Sequence, residues 1–162
     1  MAPRTQVPSP RDPRLEAWRA FLHAHAVVRR HLERELQAEQ TMGLPEYEVL
    51  LILAYADQRR LRMSELADFL TLSRSGATRL VDRLEADRLV ERVSCESDRR
   101  GQWAQITDAG HERLRTASPT HMRGIAEHFL DRIPVDELGR LQRILDGLVD
   151  EPRPAPLRPP SA

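Results

Sequence analysis

The chain has no lysine and no asparagine in its 162 residues, so all 25 of its permanent cations are arginine. Asp and Glu also number 25, and the formal net charge is zero. That balance excludes a generic nucleic-acid coat, which would be strongly basic. It does not exclude positive charge focused on one surface. Arginine is the better cation for forked contacts to phosphate and guanine, but a GC-rich coding sequence, poor in Lys and Asn codons, accounts for both absences more simply. Cys95 is the single cysteine. It can make no intramolecular disulfide, as expected of a chain in a reducing cytoplasm. Aromatics are only 4%, which favours an Ala/Leu-rich helical core. No apolar run approaches the roughly 18 residues of a membrane span, and residues 1–14 hold no apolar stretch that could act as a secretory signal. A Gly-rich phosphate loop, a nucleophile elbow and carboxylates at metal-ligand spacing are all missing, which argues against an enzyme. No cofactor is expected.

Proline marks the ends. Four of the twelve prolines fall in residues 1–13 and five in 151–162, so tails are expected at 1–13 and 150–162. Between them the periodicity predicts six helices and one hairpin, a mainly α fold. A first helix over 13–40 repeats Leu15, Trp18, Phe21, Leu22, Ala26, Val28, Leu32 and Leu36 at steps of three and four. It is longer than a small domain needs, which suggests packing against another chain. Pro45 suits the first turn of a second helix over 46–57, with Val49, Leu50, Ile52, Leu53 and Tyr47 toward the core. A fifth helix follows Thr107, and Pro119 inside its pattern predicts a kink or a split near Ser118. A last helix spans 135–149.

Residues 63–110 carry the most information. They read as a short helix capped by Ser64 (65–70), a turn at Thr71-Leu72 and a second helix capped by Ser73 (74–87). A hairpin follows, with strands at 89–94 and 102–107. Ala77, Leu80, Val81 and Leu84 form the apolar face of the second helix, directed at Leu66, Ala67 and Leu70. Its opposite face shows Arg74, Ser75, Thr78 and Arg79 near the N-terminus, the part of a recognition helix that reaches base edges. Asp82 and Arg83 lie further along, where Arg83 could instead pair with Asp87 or Asp82. Gly76 implies close approach of another backbone or a phosphate. On the hairpin tip, Asp98 is expected to hold Arg100 and leave Arg99 to enter a minor groove. Ser64 and the amides beside it could meet a phosphate.

The stretch SRSGATRLVDRLEADRLVERVSCESDRRGQWAQITDAG resembles the MarR family of bacterial transcription regulators. The resemblance rests on the recognition-helix pattern, the Asp98-x-Arg100 wing and the Ile106-Thr107-x-x-Gly110 exit. It extends through Ala117 to Leu141 and covers about residues 14–149. It implies a winged helix-turn-helix with a helical dimerisation region: a dimerisation helix at 14–41, a winged lobe at 42–107 and dimerisation helices at 108–149. It also implies a homodimeric repressor on a pseudo-palindromic double-stranded operator, often released by a small molecule; the missing Lys and Asn point to a high-GC bacterial source. Mapped onto this chain, the DNA-binding positions are Ser64, Ser73, Arg74, Ser75, Thr78, Arg79, Arg83, Asp98, Arg99 and Arg100. Trp18 is the position that would suit a small aromatic effector; packing in the dimer core is its other reading. One departure is Arg88, where many relatives have glycine at the corner between helix and strand.

His23 and His25 point to different faces, and neither they nor His111, His121 and His128 make a metal pair at helical spacing. Cys95 is read as an inert thiol. The rival reading, from another class, is a winged-helix protein–protein adaptor that does not bind DNA. The zero net charge favours it and the arginine-bearing wing argues against it.

Overall fold

The computed structural model describes residues 7–95 and 98–148, and of the side chains it leaves out 94–101. The elements run α1 (Leu15–Gln40), α2 (Leu44–Tyr55), β1 (Arg60–Arg62), α3 (Met63–Phe69), α4 (Arg74–Ala86), β2 (Val90–Cys95), β3 (Asp98–Ile106), α5 (Asp108–His128) and α6 (Val135–Asp146). Short 3-10 turns at Asp57–Arg59 and Leu130–Arg132 complete the chain. Of the proposed tails, 1–6 and 150–162 lie outside the described residues, while 7–13 are described and turn into α1 through the Asp12 amide donating to Ser9 O at 2.8 Å.

One core holds the winged lobe and the helical frame together. Leu36 from α1, Tyr47, Val49, Leu50 and Leu53 from α2, and Leu66 from α3 are buried in it. Val81 and Leu84 from α4, Val90, Ala104 and Ile106 from the sheet, and Leu114 and Ala117 from α5 join them. Helical periodicity selects Leu36, Val49, Leu50, Leu53, Leu66, Val81 and Leu84 among them, and Tyr47 joins.

The sheet contains a strand that the periodicity misses. Its order is β1-β3-β2, all antiparallel. Arg60, Leu61 and Arg62 pair with Gln105, Ala104 and Trp103. Three residues with one apolar member carry no alternation signal. What holds the segment is tertiary: the guanidiniums of Arg60 and Arg62 lie 5.1 and 5.2 Å from the centroid of the Trp103 ring, a cation–π arrangement.

Pro119 does not split α5, which runs unbroken from Asp108 to His128. Pro119 costs one backbone bond, to the carbonyl of Arg115. Both residues are exposed, so water can satisfy that carbonyl. The opposite side, with Leu114, Ala117, Thr120 and Gly124, is buried and keeps the helix in line. The hydroxyls of Thr116 and Ser118 also donate to the carbonyls of Glu112 and Leu114.

Candidate nucleic-acid interface

The turn between α3 and α4 is a helix C-terminal motif of defined chemistry. Thr71 is left-handed, with φ of 54°. Its amide donates to Asp68 O at 3.0 Å, and the amide of Leu72 donates to Ala67 O at 2.9 Å. These two bonds are the Schellman pattern, which closes one helix and turns the chain sharply. Ser73 then starts α4, its hydroxyl accepting from the amide of Gly76 at 3.1 Å. That cap also accounts for Gly76 in place of the close approach of another backbone. A Cβ there would meet the Ser73 hydroxyl at 3.2 Å, and among the described residues no backbone outside its own helix comes close.

Ala77, Leu80, Val81 and Leu84 are buried, so α4 has one possible orientation against the core. Arg74, Ser75, Thr78 and Arg79 are consequently exposed together. Two of their hydroxyls are engaged locally. Thr78 donates to Arg74 O at 2.8 Å, and Ser75 lies 3.2 Å from the Ser73 hydroxyl. Among the described residues, neither Arg74 nor Arg79 takes part in an ion pair.

Other arginines are committed elsewhere. Arg83 pairs with Glu46 of α2 at 3.4 Å, not with Asp82 or Asp87 as helical spacing allows. Asp82 is taken by Arg92 of β2 at 2.5 Å, and Arg92 reaches Glu85 as well. Arg92 thus clips the base of the hairpin to α4 and neutralises two carboxylates of the candidate reading helix. Spacing along one helix could not reveal a partner on the following strand.

Ser64 is not the cap of α3. The helix begins two residues earlier than expected, at Met63, and Arg62 is the capping position. Glu65 performs the cap, its carboxylate accepting from the Arg62 amide at 2.9 Å. A carboxylate at that helix end is unfavourable to a phosphate there. Ser64 itself is exposed.

The corner into the hairpin bears the strain that a glycine would remove. Arg88 has φ of 61°. Its amide bonds to Glu85 O at 2.9 Å and that of Leu89 to Leu84 O at 2.8 Å, a second Schellman turn. On the far side of the hairpin, the Thr107 hydroxyl accepts from the Gly110 amide and donates to the carbonyl of Arg88. Gly110 is required by contact: a Cβ would fall 2.0 Å from the Leu89 carbonyl oxygen. The expected Asp98–Arg100 pairing, the reach of Arg99 and the state of the Cys95 thiol concern side chains outside the described residues.

At the junction of lobe and frame, Arg29 of α1 forks onto Glu48 of α2 at 2.5 and 3.1 Å. The Tyr47 hydroxyl meets Ser118 at 3.2 Å, and the His121 ring lies against the Tyr47 ring at 4.3 Å. Burial lowers the pKa of His121, against a smaller opposing pull from Glu48. Trp18 is on the surface of α1, 56% exposed and stacked on Phe21.

Comparison with known proteins agrees with this architecture. The model of the MarR family matches residues 40–101. AbsC, a MarR family transcriptional regulator from Streptomyces coelicolor, is 33% identical, with a TM-score of 0.78 over 89% of this chain and 95% of that one. Sco3205, a MarR family regulator from the same organism solved in complex with DNA, is 36% identical, with a TM-score of 0.73 over 89% of this chain and 94% of its own. The transcriptional repressor MprA of Escherichia coli is 28% identical over 137 residues, 82% of this chain and 76% of its own length. The chain belongs to the MarR family of transcriptional regulators.

Proposed function

We propose that this chain is a transcriptional repressor that binds double-stranded DNA sequence-specifically as a homodimer. The observation that carries the reading is the outer face of α4. Arg74 and Arg79 stand there exposed and, among the described residues, without ion-pair partners, beside small hydroxyl residues, while the opposite face is locked into the core. A helix held this way can enter a major groove with its N-terminal half toward the bases. A relative 36% identical has been solved in complex with DNA. Ser73, Arg74, Ser75, Thr78 and Arg79 would face base edges and nearby phosphates. Asp98, Arg99 and Arg100 would lie along the adjacent minor groove. Arg83, tied to Glu46, is better placed for a phosphate than for a base, and Ser64 for at most a peripheral contact.

The second copy is argued from unpartnered apolar surface. No residue of α6 is buried: Val135 and Ile144 on it and Leu148 just beyond it are 84, 55 and 69% exposed. Trp18, Phe21 and Leu22 on α1 and Phe129 and Leu130 after α5 are exposed as well. An amphipathic helix with its apolar stripe in water calls for a partner, and two copies joined through α1, α5 and α6 would bury it. Trp18 belongs to this surface on that reading; lining an effector site is its second role. Response to a small molecule would act by shifting the distance between the two reading helices.

Selection from a random duplex pool tests the proposal. An enriched two-fold sequence with half-sites about one helical turn apart is expected. A pool without enrichment, and binding no tighter than to arbitrary duplex, would overturn it in favour of the adaptor.

A further inference from the structure

We propose that His31, Glu35 and His128 form a binding site for a divalent transition-metal ion, Zn(II) or one of similar preference, between α1 and α5. One ligand atom from each of the three lies within 4.8 Å of the others. His31 and Glu35 are four residues apart and share a face of α1. His128 arrives from the last turn of α5. Its Nε2 is 2.5 Å from the Glu35 Oε1, and the two imidazole rings stack with centroids 4.2 Å apart. Two imidazoles and a carboxylate are a donor set that zinc takes readily, and three protein ligands leave a fourth position open to water or an exchanging group.

The surroundings are shaped around the carboxylate. The second oxygen of Glu35 is buried and has no hydrogen-bond partner among the described residues, so acceptor capacity is left over after the His128 contact. Gly124, one turn before His128, makes the space. A Cβ there would fall 2.6 Å from that oxygen and 2.6 Å from Leu32 Cδ2. Arg34 competes for the site: one of its terminal nitrogens lies 2.5 Å from His31 Nδ1. A guanidinium can only donate, so Nδ1 accepts and the ring is neutral, its proton on Nε2. Metal capture requires Arg34 to leave, and requires the proton that His128 Nε2 donates to Glu35 to move to the Nδ1 of the same ring. On His31 the ion then takes Nδ1 directly, or takes Nε2 after the ring proton moves to Nδ1. Arg34 is exposed and can turn away.

A bound ion would tie α1 to α5 by coordination bonds. If these helices form the dimer interface, as proposed above, metal would also influence the spacing of the two reading helices. That consequence rests on the proposed function; the site itself does not.

The test uses the untagged, full-length, metal-free chain, titrated with Zn(II) against a chromophoric chelator and separately with Co(II). One Zn(II) per chain is expected, and visible Co(II) bands without thiolate charge transfer. His31→Ala and His128→Gln should each weaken Zn(II) binding by more than about 100-fold, beyond the usual effect of an outer-shell partner. Arg34→Ala should tighten it. His31→Ala, at a half-buried position, guards against misfolding of the His128 variant, and circular dichroism of both apo variants checks the fold. Wild type binding Zn(II) no tighter than the two variants would overturn the proposal. So would thiolate charge transfer, which would assign the ion to Cys95. Neither readout involves DNA, so the metal site and the DNA-binding function can fail separately.

Discussion

Arg88 and Gly110 show how single residues set the hairpin beside α4. Arg88 occupies a left-handed corner, with φ of 61°, a conformation that costs a residue with a Cβ about 1–2 kcal/mol. Glycine would remove that cost while losing part of the gain to its greater freedom when unfolded. Arg88→Gly should therefore raise stability by about 0.5–1 kcal/mol, read from denaturant midpoints at constant slope. Gly110→Ala should do the reverse. Its Cβ would meet a backbone oxygen, and a loss of about 1–3 kcal/mol is expected, as for an overpacked core site; a smaller change would show that α5 can slide. On the proposed DNA face, Arg79→Ala should cost about 1–3 kcal/mol of operator affinity and relax specificity at one base pair. Arg99→Ala should weaken most operators alike. If both variants titrate operator duplex as wild type does, the reading surface has been misassigned. The need for a special backbone at position 88 is visible in sequence only through the family resemblance. The 2.0 Å approach at Gly110 is not visible there at all, because it is made by Leu89 in the corner before β2, on the other side of the hairpin.

At the scale of elements, the useful question is what each one holds in place. Arg92 ties β2 to α4 through Asp82 and Glu85. Arg92→Gln would release two carboxylates toward approaching phosphates. Operator affinity should fall about fivefold, or about 1 kcal/mol, with little change in melting temperature; an unchanged affinity would mean that this clip lies off the DNA path. The junction of α2 and α5 should respond to pH. His121 has a folded pKa below its ordinary 6.5 because it is buried against Tyr47, and burial lowers that of His31 too. Above about pH 6.5 both are neutral in either state and contribute nothing. As pH falls below that, the unfolded chain takes up protons first, so stability declines until the folded pKa values are passed. His121→Phe should flatten the decline between neutral pH and pH 5.5 in denaturant titrations, and an unaltered slope would remove His121 from the account. The carboxylates of Glu39 and Glu112, lowered by Arg123 and Arg115, act in a separate window below about 4.5. The helices were legible because their apolar positions repeat over many turns. The strand β1 was not, because its three residues are selected by Trp103 on a distant strand.

For the whole molecule, the consequential feature is what one copy leaves uncovered. If α1, α5 and α6 meet a second copy, Ile144→Asp should yield monomers by light scattering. The second half-site contact would be lost with them, and operator affinity should drop far more than for any single base-contacting residue. A dimer that survives this change would place the interface elsewhere. Because net charge is zero, attraction to DNA must come from local arginines. The slope of log affinity against log salt, about 0.9 per phosphate neutralised, should then report a handful of contacts and not a broad basic surface.

Composition, periodicity and turn chemistry were enough to determine the helices, the α3–turn–α4 unit, the hairpin and the outward set on α4. Each depends on neighbours within a turn or two of the chain, and a buried apolar face leaves the polar one no choice. Only the tertiary structure decided which arginines remain available, since Arg83 and Arg92 are claimed by carboxylates on other elements. It also carried α5 through Pro119, where burial on one side outweighs one missing hydrogen bond. And it brought His128 to His31 and Glu35 across two helices, a juxtaposition created by packing at a separation where spacing in the chain carries no information.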